Sequence, residues 1–200
     1  MPFSSHSGKE FIKSLDLDAK TVLDVGAGCG TYRSMFPTLG QHWTALEVWQ
    51  PYVDKYNLRD KYDEVIVEDL RTWQPNQKYD LCFCGDILEH MTEKEAVQVL
   101  NKLREIATTV IVSIPIGYYP QDEYEGNPYE VHVEDHWTHA RFINAFGKPH
   151  QFDLEKEIEK LQNEKLKVKI LAKDKELVTN SLQIAKKNKI LNGIIQKLKS

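Results

Sequence analysis

The sequence predicts an α/β fold in which helices flank a doubly wound, mostly parallel sheet. Two observations support this prediction. Short apolar runs rich in β-branched residues are typical of buried strands, and they lie at residues 21–25, 43–48, 64–68, 79–84 and 109–114. The stretches between these runs fit helices, and strands that alternate with helices form βαβ units with right-handed crossovers.

The clearest helix is predicted at residues 92–107, directly after the fourth strand. Thr92 and Glu95 have the spacing of a capping box, which marks a helix N-terminus. Apolar residues then recur at helical spacing: Ala96, Val99, Leu100, Leu103, Ile106 and Ala107. A further helix is expected at residues 138–146. Between the two, residues 117–137 are rich in tyrosine, and a long aromatic loop of this kind is typical of a lid or binding loop.

The charge distribution divides the chain into two parts. Residues 1–150 contain 14 basic and 23 acidic residues, whereas residues 151–200 contain 12 basic and 7 acidic ones. We interpret residues 1–152 as the catalytic domain and residues 153–200 as a mainly helical, basic extension. Because phosphate backbones are bound by Lys and Arg, the acidic first part disfavours nucleic acid as a partner.

The C-terminal part allows two interpretations. Residues 149–154 and 166–172 could be strands that complete the sheet, or residues 153–199 could be mostly helix, and we favour the helix. Leucine or isoleucine recurs at intervals of seven, at Leu177, Ile184, Leu191 and Leu198. The polar Ser181 and Asn188 interrupt the same helix face. The pattern predicts an oligomerisation element and, through it, a homodimer.

The compartment is predicted from what the sequence lacks. No apolar run approaches the roughly 20 residues of a membrane span, and the N-terminus has no secretory pattern. The three cysteines do not form a disulfide framework, and Cys82 and Cys84 are expected on one face of the fourth strand as packing residues. A cytoplasmic protein without membrane contact is therefore expected.

The strongest functional signal is the glycine-rich turn after the first strand, which reads Asp24-Val25-Gly26-Ala27-Gly28-Cys29-Gly30-Thr31. Glycines let the backbone approach a ligand closely. Thr31 stands where a nicotinamide-binding turn would have its third glycine. The carboxylate of Asp24 would repel a pyrophosphate, whereas it suits a cationic sulfonium with an amino-acid group.

This turn resembles motif I of class I S-adenosylmethionine-dependent methyltransferases. Later motifs of the family follow in order: 45–48 at the second strand, 67–70 at the third, 79–90 with its Leu-Glu-His sequence at the fourth, and 110–115 at the fifth. The resemblance covers about residues 8–148. It implies S-adenosylmethionine as cofactor and S-adenosylhomocysteine as product.

The resemblance also implies which residues contact the cofactor. Glu47 would accept hydrogen bonds from the ribose hydroxyls, Asp69 would face the adenine, and Asp86 would lie near the methionine group or the substrate. The implied cofactor-binding residues are Asp24, Gly26, Ala27, Gly28, Gly30, Glu47, Asp69, Leu70, Gly85 and Asp86.

Histidines supply the candidates for a catalytic base. His132 is the first choice, because histidine accepts protons near neutral pH, and His90 with Asp86 is the alternative catalytic pair. The expected substrate contacts are Tyr129, Glu130, His132, His136 and Trp137. These polar groups could instead cap the following helix. No metal is expected, since methyl transfer depends mainly on proximity and alignment; a site made of His132, His136 and carboxylates is the less favoured alternative.

These observations predict a methyltransferase that acts on a small polar acceptor. O-methylation is slightly favoured over N-methylation, because a histidine base suits a hydroxyl group. DNA amino-methyltransferases carry a Pro-Pro-aromatic turn where this chain has Cys84-Gly85-Asp86-Ile87. Two alternatives remain open. One is a non-catalytic cofactor-binding or oligomeric protein that retains the fold, and the other is an NAD(P)-dependent oxidoreductase.

Overall fold

The computed structural model describes residues 6–149 and the single residue Lys173. Residues 6–149 belong to the first of two units of the chain, residues 1–150. The α-helices are α1 (His6–Ser14), α2 (Thr31–Met35), α3 (Gln50–Lys55), α4 (Leu58–Lys61), α5 (Glu93–Ile106) and α6 (His139–Phe146). The strands are β1 (Thr21–Val25), β2 (His42–Leu46), β3 (Glu64–Ile66), β4 (Tyr79–Gly85), β5 (Ala107–Ser113), β6 (Gly117–Tyr118) and β7 (His136–Trp137). Short 3₁₀ helices span Leu88–His90 and Pro128–Glu130.

The first five strands form one sheet in the order β3-β2-β1-β4-β5, and every pair in it is parallel. The predicted α/β fold is therefore confirmed. The chain order reverses between β1 and β4, and open α/β sheets bind ligands at the carboxyl ends of the strands at such a reversal. The ends of β1, β2 and β4 are consequently where a site is expected.

The observed strand ends correct the sequence prediction by a few residues. Strand β2 ends at Leu46 and β3 ends at Ile66, so Glu47 and residues 67–70 follow their strands instead of ending them. Ala107 begins β5, because it pairs with Tyr79 of β4 and no longer continues the helix. The Glu47 amide still donates to the Ile66 carbonyl, while its side chain lies at the carboxyl end of the sheet, where polar groups can face a ligand.

Both faces of the sheet are covered by apolar side chains. Leu23 and Val25 of β1 face one cluster and Val22 faces the other, as the alternation of a strand requires. Cys82 and Cys84 are fully buried in the first cluster, which confirms that they share a face. Near-parallel aromatic rings from Tyr32, Phe36 and Trp43 pack on Phe83 in the second cluster. Burial on both faces is characteristic of a parallel sheet.

Helix α5 begins as its sequence predicts. The Thr92 side chain accepts a hydrogen bond from the Glu95 amide, and the Glu95 carboxylate accepts from the Thr92 amide. The buried face of the helix consists of Ala96, Val99, Leu100, Leu103 and Ile106. This helix covers β4 and β5 and so fixes the segment that precedes it, the Leu88–His90 turn.

The aromatic segment between β5 and α6 is attached to the sheet by hydrogen bonds. Its two ends pair as β6 and β7, antiparallel. In the middle, the Glu134 amide donates to the Glu89 carbonyl at 3.0 Å. Arg141 of α6 bonds the carboxylates of Glu93 and Glu134, each at 2.7 Å. The segment is thus built against the carboxyl end of β4.

The predictions for the C-terminal part, including the alternative strands at 149–154 and 166–172 and the homodimer through residues 153–200, lie outside the described residues. Within the described residues, no helix combines the length and the apolar character that a membrane crossing requires.

Candidate active site

The glycine-rich turn leaves the carboxyl end of β1 and leads into α2. Gly26 has φ +63° and Gly28 has φ +53°, conformations that residues with side chains rarely adopt. A Cβ atom on Gly26 would come within 1.9 Å of Ile87 Cδ1. The turn therefore requires glycine at this point, and it brings bare backbone to the end of the sheet.

Glu47 lies directly after β2 and is joined to that turn. Its Oε2 accepts a hydrogen bond from the Gly28 amide and its Oε1 accepts one from the Trp49 amide, each at 2.9 Å. The side chain is buried, and burial raises the pKa of its carboxyl group although the two amide bonds lower it. Each carboxylate oxygen keeps a lone pair for a further donor, such as a ribose hydroxyl.

Asp24 is also buried, but its carboxyl group faces Tyr62. The Tyr62 hydroxyl donates to Oδ2 at 2.6 Å, and Oδ1 has no hydrogen-bond partner among the described residues. Burial raises the pKa of the Asp24 carboxyl to about 7, and the nearby Glu47 adds to the rise. Direct contact of Asp24 with the cofactor stays a prediction.

Asp69 is paired with an arginine that the sequence interpretation did not include. Arg71 donates from Nε to Oδ1 at 3.0 Å and from Nη2 to Oδ2 at 2.6 Å. These bonds lower the pKa of the Asp69 carboxyl, so it is ionised at neutral pH. An Arg two residues after an Asp is the only sequence signal for this pair, and it is weak because such spacing is common.

A cleft opens at the carboxyl ends of β1, β2 and β4, where the strand order reverses. Its empty space is about 480 Å³, part of it open to solvent. Five of the residues predicted from the sequence line it: Gly26, Asp69, Leu70, His90 and Tyr129. The other lining residues are Val25, Leu46, Val48, Glu68, Arg71, Ile87 and Met91. The wall thus combines apolar side chains with two carboxylates and one guanidinium.

Gly85 and Asp86 end β4 beside this cleft. A Cβ atom on Gly85 would come within 2.0 Å of the Tyr32 hydroxyl oxygen, so the position is closely packed. Asp86 has φ +55°, and its Oδ1 accepts a hydrogen bond from the Ser113 hydroxyl at 3.0 Å. A 3₁₀ turn at Leu88–His90 follows Asp86, and α5 begins only after Thr92.

The two histidines proposed as bases lie against each other. The ring centroids of His90 and His132 are 4.9 Å apart. His132 Nδ1 is 2.6 Å from the Tyr119 carbonyl oxygen, and His90 Nδ1 is 3.1 Å from the Val131 carbonyl oxygen. Because a carbonyl only accepts, both Nδ1 atoms carry the proton. Both Nε2 atoms are then left with a lone pair, and burial lowers the pKa of His90, which favours its neutral form.

The other predicted substrate contacts separate into two groups. Tyr129 lines the cleft with its ring 6.0 Å from that of Trp49, and Glu130 follows it in the 3₁₀ turn. His136 is exposed on β7, where its ring lies near Tyr118. Trp137 is buried, with its ring stacked on Phe146 and under Arg141. Its burial shows a packing contact, and contact of its side chain with substrate stays a prediction.

Comparison with known proteins gives a match to one family model. Residues 22–109 match the model described as a methyltransferase domain. This range contains the glycine-rich turn, Glu47, Asp69 and the Leu88–His90 turn. No curated protein sequence matches the chain.

Solved structures share the fold at low sequence identity. A protein from Nostoc punctiforme, provisionally described as an O-methyltransferase, is 17% identical with a TM-score of 0.52, covering 70% of this chain and 48% of that one. An S-adenosylmethionine-dependent methyltransferase from Clostridium acetobutylicum is 14% identical with a TM-score of 0.50, covering 70% and 78%. The chain spans about half the length of the first solved structures that it matches.

Proposed function

We propose that this chain, which belongs to the class I S-adenosylmethionine-dependent methyltransferases by its domain at residues 22–109, methylates a small polar acceptor. The cofactor supplies an activated methyl group on a sulfonium, and the product is S-adenosylhomocysteine. The cleft at the ends of β1, β2 and β4 is the proposed site, with the glycine-rich turn and Glu47 on its cofactor side.

The observation that carries the proposal is the joint position of Glu47 and the glycine-rich turn. The carboxylate is buried and anchored to the Gly28 amide, with lone pairs left for two hydroxyl donors. In the cleft wall Glu68 adds negative charge, whereas the charge of Asp69 is offset by its ion pair with Arg71. A ligand with adjacent hydroxyls and a positive charge fits these groups.

The same charges argue against the nicotinamide alternative. A dinucleotide brings a pyrophosphate to the turn after the first strand, where it would need open amides and no acidic neighbours. In this chain the Gly28 amide already donates to a carboxylate, and the buried Asp24 precedes the turn by two residues. The repulsion would be strongest above pH 7, where Asp24 is ionised.

The acceptor side of the proposed site is the His90–His132 pair with Asp86, Tyr129 and Glu130 around it. The Nε2 lone pair of His132 or His90 can accept the proton of an acceptor hydroxyl. This supports the slight preference for O-methylation over N-methylation. It also favours an enzyme over a non-catalytic protein that retains the fold, since the paired imidazoles offer proton acceptors beside the cleft.

Calorimetry tests the cofactor assignment. The full chain is expected to bind S-adenosylhomocysteine and not NAD. Glu47→Ala should weaken that binding by about 2–3 kcal/mol, a factor of about 30–150, because two charge-assisted hydrogen bonds are lost. Glu47→Gln keeps the shape of the side chain and one acceptor oxygen. Its affinity for S-adenosylhomocysteine should therefore lie between that of the parent and that of Glu47→Ala.

Glu105→Ala is the matched control, since Glu105 is an exposed carboxylate near the opposite end of the sheet. Thermal unfolding of each variant verifies that it is folded. A folded Glu47→Ala protein with the parent's affinity would contradict the ribose assignment, and binding of NAD in place of S-adenosylhomocysteine would contradict the proposed class.

A further inference from the structure

We propose that Glu89, His90 and His132 form a binding site for a divalent first-row transition-metal ion. Each of the three offers one ligand atom, and these atoms all lie within 4.8 Å of one another. An ion bound at about 2.0–2.2 Å from nitrogen and oxygen needs ligand atoms about 3–3.5 Å apart. Metal binding therefore requires the three ligand atoms to approach one another by up to about 1–2 Å.

The two imidazoles are already oriented as metal ligands are. Metal-binding histidines usually donate their other ring N–H to a backbone carbonyl or carboxylate, which fixes the tautomer. His132 makes this bond to the Tyr119 carbonyl and His90 makes it to the Val131 carbonyl. Both Nε2 lone pairs therefore remain available for an ion.

Two buried polar atoms in the cluster have no hydrogen-bond partner among the described residues. They are Oε2 of Glu89, whose side chain is 1% exposed, and Nε2 of His132, which is 9% exposed. A buried acceptor left without a partner costs about 1–3 kcal/mol. A cation that bonds both atoms would remove this cost.

The ligand set indicates which ions fit. Two imidazoles and one carboxylate suit Zn²⁺, Co²⁺ and Mn²⁺, whereas Ca²⁺ requires six or more oxygens. Three protein ligands also leave coordination positions open, as catalytic metal sites do. His136, which belonged to the metal alternative considered from the sequence, is exposed on β7 and lies outside this cluster.

The site adjoins the cleft, because His90 is one of its lining residues. If the proposed function holds, an open position on the ion is where the acceptor hydroxyl would bind. Coordination makes a hydroxyl more acidic. In the metal-bound protein the ion, rather than a free imidazole, would then activate the acceptor, because both Nε2 lone pairs are occupied.

Metal titration of the full chain tests the site without cofactor or acceptor. After treatment with a chelator and its removal, calorimetry with Zn²⁺, Co²⁺ and Mn²⁺ is expected to show one saturable site per chain for at least one ion. Changes to residues that only hydrogen-bond to metal ligands typically weaken metal binding by roughly 10–100-fold. Glu89→Gln and His132→Ala change proposed ligands themselves, so each should weaken binding by at least this much. His136→Ala and Cys29→Ser are controls and should bind as the parent does.

Thermal unfolding gives a second measurement that a folding defect cannot imitate. Without metal, Glu89→Gln should unfold at the parent's temperature or above, because a neutral amide replaces a buried carboxyl group. Added metal should raise the unfolding temperature of the parent but not of Glu89→Gln. Absence of saturable binding up to millimolar metal, or equal binding by the parent and both variants, would overturn the proposal. Since S-adenosylhomocysteine binding is measured separately, failure of the metal site and failure of the proposed function are distinguishable.

Discussion

The Asp24 carboxyl group illustrates how burial at a single residue links stability to pH. In the unfolded chain it titrates near its ordinary value of 3.8, whereas in the folded chain its pKa is about 7. Between these two values the folded protein keeps a proton that the unfolded chain has lost. Stability from this group is therefore present at low pH and falls as the pH rises towards 7.

Asp24→Asn is expected to remove this dependence. The amide stays neutral at every pH and can still accept from the Tyr62 hydroxyl, so the variant should gain stability relative to the parent as the pH rises from 5 to 8. Over this range the difference is on the order of 3 kcal/mol, because about two units of the shift from 3.8 to about 7 fall above pH 5. Urea unfolding of both proteins across this pH range measures it.

Asp122→Asn serves as the control for Asp24→Asn, since Asp122 is exposed in the 117–137 segment. Its unfolding curve should follow the parent's at each pH. If the parent and Asp24→Asn lose stability in parallel between pH 5 and 8, Asp24 is not the group responsible and its carboxyl group is ionised throughout.

At the scale of the element, β4 and α2 meet where Gly85 faces Tyr32. A methyl group on Gly85 would come within 2.7 Å of the Tyr32 ring carbons Cε2 and Cζ. The ring cannot turn away without leaving Phe83, on which it stacks at 4.5 Å between centroids. The glycine at the end of β4 therefore allows the helix after the glycine-rich turn to pack on the sheet.

Gly85→Ala is expected to destabilise the protein by about 1–3 kcal/mol, the usual cost of overpacking a tight site. Urea unfolding at neutral pH measures the change. In a Tyr32→Ala background the same substitution should cost little, because the ring that it meets is gone. An equal cost in both backgrounds would mean that strain at the strand end, and not the Tyr32 contact, penalises the side chain.

The elements also indicate what the sequence could and could not predict. Apolar runs and the capping box gave the five strands and α5, because local periodicity and burial determine them. The partners of Glu47, Asp69 and Asp24 could not be read from the sequence, since they depend on which loops meet at the strand ends. The convergence of Glu89 with His132 was missed for the same reason: 43 positions separate the two residues along the chain.

At the scale of the whole molecule, the chain combines an acidic domain with a basic C-terminal extension. The extension has helix-forming composition, and an isolated helix is marginal in water unless an apolar face is buried. The recurrence of Leu177, Ile184, Leu191 and Leu198 at intervals of seven predicts such a face from the sequence. We propose that a second copy of the chain covers it, since two-fold dimers are the commonest assembly.

Truncation after Lys173 is expected to convert a dimer into a monomer and to leave S-adenosylhomocysteine affinity unchanged. The reason is that the cleft is lined by residues between Val25 and Tyr129, whereas the repeated apolar residues all follow Lys173. Light scattering on the full and truncated chains, combined with calorimetry, tests both halves of the prediction. A full-length monomer at high protein concentration would contradict the dimer. A truncated chain that fails to fold would show that the extension completes the domain's own core.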